Sequence, residues 1–440
     1  MNKLKKISVL VAVLMNLSFL YLVDALAQPP STRGFDPDDP PETTIEIAPY
    51  LTFGGQVELE YLLQRNPDLD TENDEDLSSL EPGLTLAFSF DPSEHFQAFT
   101  SMKLFWEYMS EDGDKVEDSV GFEIEQAYFL FMDIIKEGAG FQVGRQRFED
   151  EREWLFDEEL DGVRLIYDIS YYSMEISVTR RNLASRDLFN PDEEEKINNY
   201  ILYGKYEKEE GEIETILGAY LLYRDGKDEE DGEPLFAGIH ANGDITEFTG
   251  YWLELAGVLG SDDENDDIRA FGFDIGLMYE LDLPAEPTLT IAYAFGTGDG
   301  NEEDNKDNNF RQTGLQSNES SFNGVPDFKY YGEVLDPELS NLSIITAGFG
   351  INPIEEGSID LVYHYYSQNK LADSLMDSAL DTEPDGESKD IGNEIDLIIG
   401  YELENKFEAA VRLGYFIPGD AFGSDAANSF TGKIEIQYEF

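Results

Sequence analysis

The chain ends on GKIEIQYEF, residues 432–440, and this stretch decides the fold. Apolar or aromatic side chains alternate with charged or polar ones. If the alternation is followed back to Phe430, two residues before this stretch, the apolar set consists of Phe430, Ile434, Ile436, Tyr438 and Phe440. Because successive side chains of a β-strand point to opposite faces, one face of this strand is apolar and the other is charged. The pattern predicts a strand with one water-facing side and leaves open what the apolar side contacts.

Strands with the same alternation recur along the chain from about Tyr50. Clear examples are VELEYLLQ (57–64), LTLAFSFD (84–91), IGNEIDLIIGYE (391–402) and FEAAVRLGY (407–415). In each of them one face is apolar and the other carries most of the polar or charged side chains. A chain built from such strands needs an apolar surrounding for one face of every strand.

The connectors between these strands alternate in length. Short turns are predicted near residues 91–95, 134–138, 168–171, 207–211, 243–248, 282–286, 352–357 and 403–406. Longer acidic segments are predicted near residues 64–81, 109–119, 149–159, 182–196, 224–232, 260–267, 299–341, 370–388 and 418–428. These eight short and nine long connectors separate about eighteen antiparallel strands, and every long connector lies at the same end.

Sorting of loops by length is typical of outer-membrane β-barrels, whose strands are apolar outside and polar inside. A soluble sandwich has no reason to sort its loops, and a β-solenoid needs a short repeat that we do not find. We therefore predict an all-β, transmembrane antiparallel barrel of about 18 strands over residues 44–440, with short periplasmic turns and long acidic extracellular loops. The apolar face of the last strand then contacts lipid, and Phe440 lies at the membrane–water boundary, where aromatic side chains are enriched.

The amino terminus predicts export. Three lysines within the first six residues precede the mostly apolar segment 7–23 and the sequence Ala25-Leu26-Ala27, which fits a cleavage site. We predict a signal peptide over residues 1–27, with an uncleaved anchor as the alternative. Residues 28–43 are rich in Pro and Asp and predict a flexible lead-in. Beyond the signal peptide the sequence has no apolar run of the roughly 18 residues that a membrane helix needs.

The composition excludes several classes of function. With 94 acidic against 29 basic residues, the formal net charge is −65, so a nucleic acid would be repelled. The aromatic content of 13% does not fit a disordered acidic chain. The chain has no cysteine and only three histidines, which are far apart, so neither a zinc site nor a catalytic triad is supported. No nucleophile motif such as G-x-S-x-G appears, and we predict that the protein is not an enzyme.

Basic residues form clusters in this acidic sequence, and strand parity predicts where they point. Five of them face the lumen by parity: Lys103, Arg164, Arg181, Arg412 and Lys433. Arg145 and Arg147 instead share parity with Phe141 and Val143, which predicts the lipid side unless a bulge at Gly144 reverses the register or the two residues lie beyond the apolar band. Because an Arg facing mid-bilayer lipid costs roughly 2–4 kcal/mol, we favour the bulge.

The clusters have two interpretations. They either form a constriction that guides anions, because guanidinium groups bind carboxylates in a bidentate way, or they belong to ion pairs that stiffen the wall. Arg152 is a candidate for both: it is a further possible pore residue, or it pairs with Glu151 or Asp157.

Two stretches carry a family resemblance. GRQRFEDEREWLFDEELDGVRL (144–165) and FRQTGLQSNESSFNGVPDFKYYGEVLDPELSNL (310–342) resemble the alginate-export outer-membrane porins. The resemblance implies an eighteen-stranded, monomeric barrel in the bacterial outer membrane with an arginine-lined pore that passes a polyuronate. It also implies that the pore is lined by Arg145, Arg147, Arg164 and Arg311. A last strand that ends in Phe440 further resembles the signal that barrel-insertion machinery recognises.

The acidic loops differ from that family, because they would repel a polyanion at the outer mouth. A general or cation-preferring diffusion porin of a salt-adapted bacterium is therefore the alternative function. The segment 299–341 either folds into the pore or stays outside it. We predict no cofactor, and the clustered carboxylates of one loop are weak candidates for Ca²⁺ ligands, although a solvated surface is the more ordinary explanation. These candidates are Asp262, Asp263, Asp266 and Asp267.

Overall fold

The computed structural model describes residues 40–70, 76–133, 135–190, 195–210, 213–226, 232–262, 266–300, 305–403 and 406–440. The predicted signal peptide and most of the predicted lead-in lie outside these ranges. Within them, no helix is long and apolar enough to cross a membrane.

Most of the described chain is β-strand, and almost none of it is helix. Its strands, in chain order, are β1 (Ile45–Ala48), β2 (Leu51–Arg65), β3 (Asp76–Ser93), β4 (Phe96–Glu111), β5 (Asp114–Met132), β6 (Ala139–Glu149), β7 (Asp157–Ile169), β8 (Tyr172–Arg180), β9 (Asn198–Glu210), β10 (Ile213–Asp225), β11 (Leu235–Thr246), β12 (Thr249–Ser261), β13 (Asp267–Glu280), β14 (Thr288–Gly296), β15 (Lys306–Asp307), β16 (Glu319–Ser320), β17 (Phe328–Lys329), β18 (Leu342–Ile354), β19 (Gly357–Gln368), β20 (Asp390–Leu403), β21 (Phe407–Pro418) and β22 (Ser429–Glu439). One turn of 3₁₀ helix spans Asp420–Phe422.

Eighteen of these strands, β2–β14 and β18–β22, form a closed antiparallel barrel. Each pairs with its neighbour in the chain, and β22 pairs with β2 to close the barrel. The alternation of the sequence appears as alternating exposure. On β13, for example, Ile275 and Leu277 are exposed while Asp274 faces inward and is buried. The predicted barrel and its strand number are confirmed.

One predicted loop is wrong. Residues 109–119 do not form a long acidic connector, because β4 and β5 continue through this region and meet at the two-residue turn Asp112–Gly113. Both turn residues have positive φ, 49° and 81°, as tight hairpins with two-residue loops prefer. Charged residues at the end of a long hairpin look like a loop in the sequence, although they stay paired.

The carboxyl terminus completes the seam of the barrel. Gly55 on β2 and Phe440 exchange two backbone hydrogen bonds, of 2.9 and 2.8 Å. The phenyl ring covers the face of the glycine so closely that a Cβ on Gly55 would lie 2.3 Å from a ring carbon. The last residue is therefore aromatic at a position where its ring fills the space left by a glycine.

The lumen is partly filled by two loop segments, 150–156 and 305–341, which we call the lumen plug. Their apolar side chains pack together and against the inward faces of the wall, including Trp154, Phe310, Leu335 and Tyr366. The sequence left open whether the segment 299–341 folds into the pore, and the structure places its residues 305–341 inside the barrel.

Polar contacts hold the plug to the wall. The carboxylate of Glu394 on β20 accepts backbone hydrogen bonds from Val334 (2.6 Å) and Leu335 (3.1 Å). Tyr366 on β19 donates to the carbonyl oxygen of Tyr331 at 2.8 Å.

The plug also contacts more distant strands. The hydroxyl of Tyr331 donates to Asp274 on β13 at 3.3 Å, and Arg224 on β10 donates to the carbonyl oxygen of Thr313 at 2.5 Å. Contacts on several sides of the lumen therefore hold the plug in place.

Candidate functional site: a cavity in the barrel lumen

A cavity of about 290 Å³ lies in the lumen beside the walls of β2–β7, and we call it the lumen cavity. Six carboxylates and three basic side chains line it, with two uncharged polar residues. The lining residues are Gln56, Glu58, Thr85, Lys103, Glu123, Glu125, Arg147, Asp157, Glu158, Glu159 and Arg186. Its surface is polar, as expected of a water-filled passage.

Lys103 on β4 is held between two carboxylates. Its ammonium group lies 2.5 Å from Glu58 and 2.9 Å from Glu81. Parity predicted that this lysine points inward, and its side chain lies on the cavity. Because the two acids come from neighbouring strands, the wall itself fixes the position of the positive charge.

Arg147 and Arg186 are held in the same way on the other side of the cavity. Arg147 on β6 lies 2.8 Å from Asp157. Arg186, in the loop between β8 and β9, lies 2.5 Å from Glu159 and 3.4 Å from Glu158. Every base of the cavity is thus already paired with acid. Parity could not predict Arg186, because the residue lies in a loop and not on a strand.

The bulge predicted at Gly144 is wrong. The ladder between β6 and β7 runs without a shift from Ala139 to Glu149, although Gly144 itself has a φ of 130°. The register shift lies in β5 instead, where the partners of Ser101 and Met102 are two residues apart.

The end of β6 that approaches Glu149 leaves the barrel wall. This departure explains why Arg147 lines the cavity although it shares parity with the lipid-facing residues. Its described ladder with β5 ends at Arg145, whereas its ladder with β7 continues to Glu149. Phe148, which faces away from Arg147, is buried among the plug residues. One face of β6 therefore contacts lipid near Phe141 and Val143 and lines the cavity near Arg147. Arg147 can lie on that face without facing lipid.

Arg145 lies in the wall and is not among the residues that line the cavity. It donates two hydrogen bonds to the carboxylate of Asp161, at 3.0 and 2.8 Å. It also donates to the carbonyl oxygens of Ile124 (3.0 Å) and Ala184. With these partners its side chain is 6% exposed, and the guanidinium joins three segments of chain.

Arg152 lies in the core of the plug. Its guanidinium lies over the rings of Trp252 and Tyr330, 4.3 and 4.4 Å from their centroids. It lies 3.5 Å from the carboxylate of Asp274, and its side chain is 6% exposed. This arrangement is a cation–π contact combined with a buried ion pair.

The predicted ion pairs of Arg152 differ from those observed. Glu151 binds Lys205 at 3.0 Å, and Asp157 binds Arg147. Sequence neighbours fail as partners here because the loop folds back into the barrel, which brings Arg152 to a strand that is distant in the chain.

Two further predicted positions face the lumen near the plug. Arg164 lies over the ring of Phe148 at 3.8 Å and pairs with Glu175 at 3.3 Å. Arg181 pairs with Glu158 at 2.7 Å and donates to the carbonyl oxygen of Gly314 at 3.2 Å.

The remaining three lie elsewhere. Arg311 pairs with Asp307 within the plug, and Arg412 pairs with Glu435 on β22. Lys433 lies 2.7 Å from the same Glu435. The nine predicted positions therefore do not form a single ring.

The carboxylates predicted to bind Ca²⁺ have other contacts. Asp262 accepts a hydrogen bond from the backbone of Asp266 at 2.8 Å, and Asp267 pairs with Arg269 at 3.0 Å. Asp263 lies outside the described residues. Among those described, no group of three or more acidic or histidine side chains could hold a metal ion. Calcium binding at this loop stays a prediction.

An eighteen-stranded barrel with an apolar outer face and a charged, partly filled lumen defines a porin-type channel of the bacterial outer membrane. Solved structures agree with this class. OccK11 (OpdR) of Pseudomonas aeruginosa has a TM-score of 0.55 at 11% identity, over 89% of this chain and 96% of that one. The outer membrane protein OprD of the same organism has a TM-score of 0.54 at 12% identity, over 91% and 95%. At these identities the likeness shows the fold.

The chain belongs to the alginate export family, whose model, described as "Alginate export", matches residues 49–432. The alginate production protein AlgE of Pseudomonas aeruginosa is 28% identical over 228 residues, which are 44% of this chain and 46% of that protein. AlgE of Azotobacter vinelandii is 30% identical over 181 residues, 36% of each chain. Each alignment thus spans less than half of the relative. The predicted family and outer-membrane location are confirmed.

Proposed function

We propose that this protein passes anionic, uronate-type saccharides through the lumen cavity. The observation that supports this is the convergence of Lys103, Arg147 and Arg186 on one polar cavity, from two strands and a loop. Guanidinium groups bind carboxylates in a bidentate way, and do so more strongly in a narrow, partly desolvated passage than in bulk water. Family membership and the names of the AlgE relatives agree with a polyuronate cargo.

Transport through such a cavity is an exchange of ion pairs. A uronate carboxylate entering the cavity replaces a wall carboxylate at a base, for example Glu159 at Arg186. The displaced wall carboxylate remains nearby and competes for the base, so the saccharide is not held tightly. Passage requires binding that is strong enough for entry and weak enough for release.

A second candidate is a cation-preferring channel. The same cavity carries six carboxylates and three bases, an excess of three negative charges if all are ionised. A wall with this charge concentrates cations and repels free polyanions. The two candidates differ in the sign of the ion selectivity.

Planar-bilayer recordings test both candidates. For the first, oligouronates block the KCl current in the micromolar to millimolar range, while neutral oligosaccharides of the same length do not. Equal block by both sugars would contradict a uronate passage. Reversal potentials in a salt gradient report the sign of selectivity, and a strong cation preference without uronate block would favour the second candidate.

The cellular partners are further proposals. We propose that residues 1–27 direct export, that the strand ending in Phe440 is read by barrel-insertion machinery, and that the barrel is monomeric.

A further inference from the structure

The strands β5 and β6 are paired over only part of the length of β5. Their described ladder has six residue pairs, from Met132 with Gly140 to Ala127 with Arg145. On its other side β5 pairs with β4 up to Asp114, so its upper half extends well beyond the end of the β6 ladder. An open edge of this kind leaves backbone groups without partners unless another segment covers it.

The loop between β8 and β9 covers part of this edge. The backbone N–H of Ile124 donates to the carbonyl oxygen of Arg186 at 3.1 Å. The backbone N–H of Leu188 donates to the carbonyl oxygen of Phe122 at 2.9 Å. Between these bonds, Glu123 and Asp187 face each other as an antiparallel bridge. Residues 184–188, which we call the inserted segment, therefore occupy the place beside β5 that β6 has left.

Side chains also fix the inserted segment to three strands of the wall. Arg145 donates to the carbonyl oxygens of Ile124 and Ala184 and binds the carboxylate of Asp161. The same carboxylate accepts the backbone N–H of Ala184 at 3.2 Å. Asp187 accepts the backbone N–H of Phe122 at 3.3 Å. The segment is thus bound to β5, β6 and β7 together.

Arg186 is carried into the lumen cavity by this segment. Its side chain is 27% exposed and meets Glu158 and Glu159 on the cavity wall. It is one of three bases lining the cavity, and it is the one that comes from neither β4 nor β6.

We propose that residues 184–188 are a permanent part of the barrel wall and that they place Arg186 as a specificity-determining residue of the passage. Arg145 is the positioning residue, because it ties the segment to β5 and β7 without lining the cavity itself. The proposal deepens the proposed function: Arg186 is a contact that attracts anions, and its charge affects the selectivity of the channel for simple ions as well as for saccharides.

Cysteine substitution tests the place of Arg186, because the chain has no cysteine of its own. Arg186→Cys is reconstituted in a bilayer and treated with thiol reagents that add a sulfonate or a trimethylammonium group. We expect the sulfonate to shift the reversal potential toward cation selectivity, and the trimethylammonium group to shift it back toward the unsubstituted channel. Arg269→Cys is the matched control, since Arg269 is 63% exposed on β13 and pairs with Asp267. Its modification should leave the reversal potential unchanged.

Two further variants test the wall segment. Glu123→Cys with Asp187→Cys should form a disulfide in the assembled barrel when an added mild oxidant accepts the two electrons, since opposed residues of an antiparallel bridge lie within disulfide range. Arg145→Leu should weaken this cross-link and reduce the effect of the reagents at position 186. If mass spectrometry shows both reagents attached at position 186 while the reversal potential stays constant, Arg186 is outside the passage and the proposal is wrong. Absence of the disulfide in the folded barrel would contradict the wall segment. These readouts use KCl alone, so a failure of oligouronate block would remove the proposed function and leave them interpretable.

Discussion

Arg152 keeps a charge inside the barrel because aromatic rings and a carboxylate replace its water. The guanidinium lies over the rings of Trp252 and Tyr330, and the carboxylate of Asp274 lies 3.5 Å from it. The hydroxyl of Tyr330 also donates to the carbonyl oxygen of Arg152 at 3.0 Å, which joins the two parts of the plug. The residue therefore binds the loop 150–156 both to the wall and to the longer plug segment.

Replacing Arg152 with Met should destabilise the barrel by about 3–5 kcal/mol, because Asp274 would remain buried without its partner. The measurement is the free energy of unfolding in urea, with the protein in detergent micelles. Arg269→Met serves as the control, since exposed substitutions usually change stability by less than about 0.5 kcal/mol. The double variant with Asp274→Asn should recover part of the loss, because it removes the unpaired charge. If the Arg152 and Arg269 variants are equally stable, the contacts of Arg152 with Asp274, Trp252 and Tyr330 contribute little to the stability of the barrel.

Strand parity was sufficient for some residues of the site and insufficient for others. It placed Lys103 on the inward face, because β3, β4 and β5 stay in the wall around it. It failed for Arg147, because β6 leaves the wall above Arg145, and pairing between strands is a tertiary property. Arg186 was beyond its reach, since a loop has no alternation to follow.

At the scale of elements, the alternating connector lengths predicted most of the architecture, because a barrel places successive connectors at opposite ends. The pattern could not show that residues 109–119 stay paired as a hairpin, or that the segment 305–341 folds inward. Charged residues indicate that a segment contacts water. They do not show whether that water surrounds the end of a hairpin or fills the lumen. Apolar residues such as Phe310 and Leu335 are scattered through the plug without periodicity, and their burial depends on the barrel around them.

The plug should become less stable as the pH rises. Burial, together with nearby Asp377, raises the pKa of Glu338 to about 8 from an ordinary value of 4.5. Burial likewise raises the pKa of Asp150 to about 7, against hydrogen bonds from the backbone of Phe156 and its neighbours, which lower it. Because both pKa values are raised on folding, the stabilisation is complete below about pH 4 and is lost as the pH rises through about 7 to 8.

Thermal unfolding in detergent between about pH 5.5 and pH 8.5 measures this effect, and the melting temperature should be lower at the higher pH. Glu338→Gln, which stays neutral, should flatten part of the dependence. Glu94→Gln is the matched control, because Glu94 lies in a short turn and its side chain is 88% exposed. The same pH dependence in all three proteins would assign it to other groups.

At the scale of the whole molecule, one chain combines a large negative charge with a lumen cavity whose three described bases are each paired with acid. The charge of −65 excluded nucleic acids and left the cargo open, because net charge does not show where bases converge. Fold and family followed from repeated alternation and two long motifs, which are properties of many residues at once. The selectivity depends on a few side chains in one cavity, and therefore on contacts between distant parts of the chain.

Phe440 lies at one end of the seam that closes the barrel and has two separable roles there. Its backbone extends the β2–β22 seam, and its ring covers Gly55. We expect Phe440→Ala to keep the backbone contacts and lose the ring. If insertion machinery also reads the terminal aromatic residue, the variant should reach the outer membrane several-fold less in cells, while refolding into detergent in vitro suffers less. Heat-modifiable migration in gels measures the folded fraction in both settings.

Phe430→Ala is the matched control for Phe440→Ala. Phe430 lies near the other end of β22, pairs with Arg65 across the same seam and shares the face of Phe440. Both variants lose a phenyl ring from that face, so their effects on refolding in vitro should be similar. Because Phe430 is not terminal, its loss should leave insertion in cells nearer to that of the unsubstituted protein. If the folded fraction of the two variants falls by the same factor in cells and in vitro, Phe440 acts through seam stability alone. In that case recognition of the terminal ring is contradicted.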